Sequence, residues 1–587
     1  MTAQDVQPAL SAGATRPAQH GPQLLVANPA ATIVAAGTRL AVGHGLDQDG
    51  QTRLRAAIGH VEPSNALRQL VAGQQEATIV FADAALPGGA TIEAWRGATS
   101  NFEAYIADNG QPDQPPVISD QFRDALALVP TARRMLDPKA AADHLLFAAV
   151  PGTRTYVTAI GRLGYGEAYR WQNGKAERRL FDPLVAQPRS DEPPLEAIDA
   201  ALAQATDRLA TAEQCANQLS GGIDSSLLQT YLPATAPTVS GTIDSPEFAR
   251  ERDYAEQASR LFDSQHRVYA VREGDYLSLL VDVIRLGGMP VRMPHSVIHQ
   301  LCYELPVKGF INAQFADALF GLKTISFHAR VFGQRRWLNL ARAWHLGRFL
   351  PRTKAAGLFR RIELARQIDA PVDSWEGLGA RYAIYTNLLL AERILGAAMV
   401  RQRIEARAAY VAPRFRSEEH DADPFFAHIE FGHILDFYCD DCASRWRQLA
   451  HAHGKSLLTP FVSRSVVMAA LGVPRRRRYI ANGRVKFLLK DLLKRRLPAF
   501  EVDAPKAGGD LPFRRYLSSG PLMGAFERYA MPDLVDRQIA AATRAEPDWL
   551  TWNLLNLAIW RDEVLADPTL APLPGTRILA PSSSNRS

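Results

Sequence analysis

The chain has 587 residues, 47% hydrophobic and 22% charged, with a formal net charge of +6. That balance supplies several domains and excludes a disordered, collagen-like or coiled-coil chain. The mild positive excess permits anionic partners such as nucleotides or acidic peptides without calling for nucleic acid.

Four cysteines (Cys215, Cys302, Cys439 and Cys442) are too few for a secreted disulfide scaffold. Residues 1–23 lack a basic stretch followed by an apolar one. No apolar run approaches the ~18–20 residues of a membrane span. The expected location is the cytoplasm, with no membrane span.

In chain order, residues 1–22 are rich in Ala, Gln, Gly and Pro and read as a flexible N-terminus. Residues 23–186 carry short β-like runs, such as 24–26, 77–81 and 154–157, broken by turn residues. The polar, Pro-rich stretch 187–195 reads as a linker. From 196 to 568 the pattern changes: helical text precedes a strand ending at Leu219, and strand-like segments recur at 238–243, 266–271 and 309–314. Strands alternating with helices imply βαβ units and a parallel sheet. Residues 322–431 read as a basic helical segment, and 569–587 as a flexible tail. The expected fold class is α/β: a helix-rich C-terminal domain with a parallel sheet, beside an N-terminal β-rich sandwich. The strand at 214–218 is more polar than a buried parallel strand should be.

The strongest chemical signal is Ser220-Gly221-Gly222-Ile223-Asp224-Ser225-Ser226, between the expected strand and an apolar helix. Two glycines let backbone N–H groups approach an anion, and the hydroxyls of Ser220, Ser225 and Ser226 add donors. The following helix turns its positive end to the same place. This is a phosphate cradle. Asp224 inside it would repel phosphate unless a divalent cation intervened, which implies Mg²⁺. No lysine follows the glycines, so this is not a Walker A loop. The bland alternative is a glycine-rich turn without ligand.

The motif resembles the SGGxDS pyrophosphate loop of the asparagine synthetase-like enzymes. Ala316-Asp317-Ala318-Leu319-Phe320-Gly321 resembles the family's GADELFG segment. Thr459-Pro460-Phe461-Val462 and Gly483-Arg484-Val485-Lys486-Phe487-Leu488-Leu489 are similar to its PFLD and GK.K.LLR stretches. Ala504-Pro505-Lys506-Ala507-Gly508-Gly509 resembles its RPKxGxG loop, and 141–183 the end of its N-terminal glutaminase-type domain. The resemblance covers most of 70–245 and 300–520, in the same order. It implies ATP-dependent activation of a carboxylate as an acyl-adenylate, release of pyrophosphate, and amide formation by an amine. It implies that Leu219, Ser220, Gly221, Gly222, Asp224, Ser225, Ser226 and Gln314 bind ATP, and that Asp224 and Asp317 hold Mg²⁺. Lys506 would neutralise charge developing on the reacting oxygens.

The departures bear on the subclass. Glutamine-dependent members begin Met-Cys; here position 2 is Thr2, and the first cysteine is Cys215. The N-terminal domain therefore reads as a degenerate glutaminase, and the amine must come from elsewhere. Ammonia-using members carry GEGAD where this chain has Ala313-Gln314-Phe315-Ala316-Asp317, and a β-lactam-forming branch places Tyr at the position of Gln314. That branch also uses a Glu to deprotonate its amine. Asp440 and Asp441 lie in a roughly corresponding stretch, and Asp441 is the candidate general base, an acidic helix face being the alternative.

A second branch with an inactive glutaminase domain comprises the lasso-peptide cyclases. They adenylate an Asp or Glu side chain of a ribosomal peptide and close a macrolactam with its N-terminal amine. Arg335, Arg336, Trp337, Arg342, Arg348, Arg352, Lys354, Arg360 and Arg361 favour this branch by offering a large sticky surface, against the alternative of a solvated helix face. The branch implies a precursor or core peptide as substrate, with a leader peptidase and a leader-recognition protein as partners. The rivals are an asparagine synthetase-like or β-lactam synthetase-like ligase of small amino acids, and a non-catalytic ATP-binding scaffold. The four consecutive arginines 475–478 read as surface. Cys439-x-x-Cys442 lacks the second ligand pair of a zinc site.

Overall fold

A computed structural model describes residues 22–581 apart from 85–88, 112, 190–193, 211–214, 234, 322–385, 387, 419–423, 441, 482–483, 505–511 and 530–546. The arginines named between 335 and 361 lie outside the described residues.

The β-like runs at 24–26 and 77–81 fall in two stacked sheets, whereas 154–157 is no strand and makes only isolated bridges, Arg154 with Gly161 and Val157 with Leu136. Strands Thr32–Ala36, Arg39–His44, Thr78–Asp83, Thr91–Arg96, Glu167–Gln172 and Lys175–Leu180 lie side by side in that order, all antiparallel. The second sheet has the order Arg577–Leu579, Gln23–Val26, Val117–Ser119, Tyr105–Ala107, Ile160–Arg162. Alternation with period two sorts the side chains. Leu40, Val42, Val80 and Ala82 pack with Leu24, Val26, Ile106 and Ile118 between the sheets. Their neighbours Ala41, Ile79 and Phe81 face Leu54, Leu67 and Leu70 of the helices Gln48–Ile58 and Pro63–Ala72.

Arg577–Leu579 falls in the stretch read as a tail, yet it pairs antiparallel with Gln23–Val26. The approach is pinned by buried Asp124, which accepts from the Leu573 N–H at 2.7 Å and from Thr576 Oγ1 at 2.6 Å.

The second part contains a five-stranded, wholly parallel sheet. Its strands are β1 (Cys215–Gln218), β2 (Thr238–Asp244), β3 (His266–Arg272), β4 (Gly309–Ile311) and β5 (Ser456–Leu458). The spatial order is β3-β2-β1-β4-β5. Apolar residues cover both faces, as crossover helices require. Ala216, Val239, Phe310 and Leu457 face one cluster, and Ile311 the other with Leu227 and Phe461. The first cluster also takes in Leu25, Tyr105 and Phe122, so the two parts share one core. The polarity of β1 has a use: buried Asn217 donates from Nδ2 to the Ser225 carbonyl and to Gln229 Oε1, both at 3.0 Å, tying strand to following helix.

The strand order reverses between β1 and β4. The chain winds outward from β1 through β2 to β3, then returns to the other side of β1. Loops leaving β1 and β4 diverge, which opens a crevice at their carboxyl ends. Among the described residues, no helix is long and apolar enough to cross a membrane.

Candidate active site

The loop after β1 enters that crevice. Ser225 Oγ holds it closed, lying 3.2 Å from the Ser220 N–H and 3.1 Å from Ser220 Oγ; the Gly222 N–H donates to Ser220 Oγ at 3.3 Å. Gly221 has φ +71, and a β-carbon there would lie 2.4 Å from the Tyr254 carbonyl carbon and oxygen, in the helix Pro246–Leu261. Glycine thus lets the loop sit directly on helix backbone. Gly221→Ala is expected to displace the loop, at a strain of roughly 1–3 kcal/mol. Weaker Mg·ATP binding in calorimetry, with the far-UV spectrum unchanged, is the check. Of the three serines read as donors only Ser220 is exposed; Ser225 and Ser226 are buried. Leu219 is also buried, its N–H donating to the Val239 carbonyl at 2.9 Å.

Asp224 stands in the first turn of the helix Ile223–Gln229, and Asp317 in that of Ala316–Phe320, which follows β4. Adjacent strands therefore present the two acids to one crevice. Both engage a single cation, the ammonium of Lys486: Nζ is 2.5 Å from Asp224 Oδ2 and forms a second ion pair with Asp317 Oδ1. Burial by itself lowers the Lys486 pKa, but the two carboxylates outweigh it and hold the ammonium above its usual range. The ammonium marks the point at which the two carboxylates converge. Hard carboxylate oxygens meeting at one cation position fit Mg²⁺.

Lys486 had no assigned role in the sequence, although it lies within the stretch resembling GK.K.LLR. It has φ +56, between the hairpin of Ile480–Ala481 with Arg484–Val485 and the helix Phe487–Arg496. The helix leading into the hairpin carries a buried ion cluster that overturns the surface reading of the four arginines. Arg475 and Arg478, in the helix Arg475–Tyr479, are each 1% exposed; Arg476 and Arg477 face solvent. Spacing of three residues puts the buried pair on one helix face. Both grip Glu430: Arg475 Nε donates to Oε2 at 2.6 Å and Arg478 Nη2 to Oε1 at 2.5 Å. Burial raises the Glu430 pKa, but Arg478 and Arg475 outweigh it and hold the carboxyl below its ordinary range. Arg478 also lies 4.7 Å from the ring centroid of Tyr479, the residue that enters the hairpin.

Gln314 is half-buried between β4 and Asp317, its N–H donating to Asn312 Oδ1 at 3.3 Å. Phe315 has φ +78, and its ring centroid lies 4.6 Å from that of Phe437. A left-handed phenylalanine is rare and needs such packing to hold it. It stands where the GEGAD pattern has glycine, a departure that was visible in the sequence. Cys442 Sγ accepts from Arg292 Nη1 at 2.7 Å, in a narrow cleft lined also by Met289, Val291, Arg445 and Trp446. Thr2, Asp441 and Lys506 lie outside the described residues, and the side chains of Cys439 and Asp440 are not described.

A parallel sheet whose order reverses at β1 and β4, with an acid pair and a lysine at the reversal, has the layout in which open α/β proteins bind their ligands. Residues 197–560 match the family model described as asparagine synthase. The chain belongs to that family, whose members are ATP-using amide ligases. The matched span takes in β1–β5, Asp224, Asp317 and Lys486. No curated protein resembles the chain closely enough to count as a relative.

Proposed function

We propose that the protein is a cytoplasmic, ATP- and Mg²⁺-dependent, AMP-forming carbon–nitrogen ligase of the lasso-peptide cyclase type. It activates an Asp or Glu side-chain carboxylate of a ribosomal precursor peptide, and the peptide's N-terminal amine closes a macrolactam. A leader peptidase and a leader-recognition protein of the same pathway would prepare the peptide. The observation that carries the ligase chemistry is the convergence of Asp224 and Asp317 on one cation position beside the Ser220–Gly222 loop.

The roles divide as follows. The loop from Leu219 to Ser226, with Gln314, binds the nucleotide, its Ser220 hydroxyl and glycine backbone facing the pyrophosphate end. Asp224 and Asp317 hold the metal, which when bound neutralises the phosphates. Lys486, at the mouth of the same crevice, supplies a further positive charge to the phosphates. A carboxylate oxygen of the substrate displaces pyrophosphate, and the amine then displaces AMP while Asp441 takes its proton. Lys506 steadies the oxygen charge that develops during that attack. The N-terminal sandwich is a glutaminase-like scaffold without a cysteine in residues 23–186, and in the cyclase reading the peptide itself brings the amine.

The test is pyrophosphate release from the full chain with ATP and Mg²⁺. One arm supplies linear peptides that carry a free N-terminus and an internal Asp or Glu. The other supplies aspartate with ammonium. A peptide product lighter by one water, formed with AMP, is the expected result. Asparagine formation would replace the peptide reading with the small-substrate one. Nucleotide binding without pyrophosphate release from any carboxylate would leave a scaffold.

A further inference from the structure

We infer that Lys486 is an internal cation that excludes a divalent metal from the Asp224–Asp317 pair until a nucleotide's phosphates draw it away. Metal and nucleotide then enter together or not at all. This rests on the ligase reading of the crevice and concerns how the site fills.

Among the described residues, the two acids share one cation position. Lys486 Nζ sits 2.5 Å from Asp224 Oδ2 and also pairs with Asp317 Oδ1, so a metal bridging the same oxygens would need the space that Nζ occupies. Two cations sharing that point repel strongly in a partly desolvated crevice. The exposures show which partner can be reached. The Lys486 side chain is 13% exposed, Asp224 20% and Asp317 41%, so the bridge lies at the mouth of the crevice and not in the core.

The means of exchange is local. Lys486 is anchored by backbone at the junction of hairpin and helix, and the helix it starts, Phe487–Arg496, packs on the one that carries Asp224. The backbone has no need to move: a four-carbon stem can swing its ammonium from carboxylate to phosphate by side-chain rotation. A triphosphate in the neighbouring loop offers that ammonium more negative charge than the acids do. Its departure leaves two carboxylates facing the phosphates, an arrangement that calls for a divalent ion.

The probe is Mn²⁺ alone, titrated into the full-length protein and read by electron paramagnetic resonance. Wild type is expected to bind Mn²⁺ weakly without nucleotide and tightly once a non-hydrolysable ATP analogue is present. Lys486→Met should bind Mn²⁺ without nucleotide at least tenfold more tightly than wild type, and Asp224→Asn in that background should abolish the gain. Lys486→Gln serves as a second neutral variant should the first fail to fold, and Lys486→Arg should keep the exclusion. Equal nucleotide-free Mn²⁺ affinity in wild type and the neutral variants would overturn the inference. A wild type that takes up no Mn²⁺ even with nucleotide would instead overturn the metal reading of the acid pair.

Discussion

Asp224→Asn and Asp317→Asn are each expected to cut pyrophosphate release by about 10²–10³-fold while leaving the fold intact, the usual loss when one preorganised charged group is removed from a reacting centre. Each acid is one of two carboxylates directed at a single cation, so either substitution halves the charge opposite the phosphates. Neither holds the core together. Both side chains reach solvent, and the loop is closed by Ser220 and Ser225, while Asn217 secures the strand beneath it. The thermal midpoint should therefore stay close to wild type. The double variant should be hardly worse than either single one, because the two acids act as a unit. A coupled pyrophosphatase assay beside a melting curve gives both readings. Full product yield from either variant would refute the Mg²⁺ assignment.

Glu430→Ala should have the largest effect on stability. Its carboxylate is 2% exposed between two guanidinium groups that are 1% exposed. Removing it strands two buried positive charges, which destabilises by about 3–5 kcal/mol. A shift of the urea midpoint to lower denaturant reads this. Replacing all three members together, Glu430→Leu with Arg475→Met and Arg478→Leu, should restore most of the loss, because an apolar trio of similar volume has no charge to leave unpaired. The pH dependence follows from the direction of the shift. The ordinary Glu value is 4.5, and the folded value is lower. The carboxylate's stabilising share is therefore complete above the ordinary value and disappears as pH falls through the lower, folded one. A triple variant no more stable than Glu430→Ala would show that shape, not charge, holds this region together.

Residue by residue, the legible parts were those written in short stretches. The β-like runs at 24–26 and 77–81 foretold strands, found at Gln23–Val26 and Thr78–Asp83. Switching between strand and helix text from β1 onward foretold a parallel sheet. The glycine turn at Gly221 and Gly222 announced its own backbone need, and the φ of Gly221 shows why. Arg475 and Arg478 misled for the opposite reason. Four charges in a row look solvated, and nothing nearby in sequence shows that Glu430, 45 residues earlier than Arg475, lies between two of them. The strand at Arg577–Leu579 was equally silent, because its partner Gln23–Val26 stands at the other extreme of the described chain.

Local reading thus reached the main element types, the glycine turn after β1 and the two acids as residues worth naming, since hydrophobic period and turn chemistry reside in successive residues. Packing alone settled that Asp224, Asp317 and Lys486 meet. Their meeting depends on β4 returning beside β1 and on the helix that Lys486 precedes packing against the helix that carries Asp224. Those are long-range contacts, decided by the burial of whole faces and recorded in no single stretch of the chain.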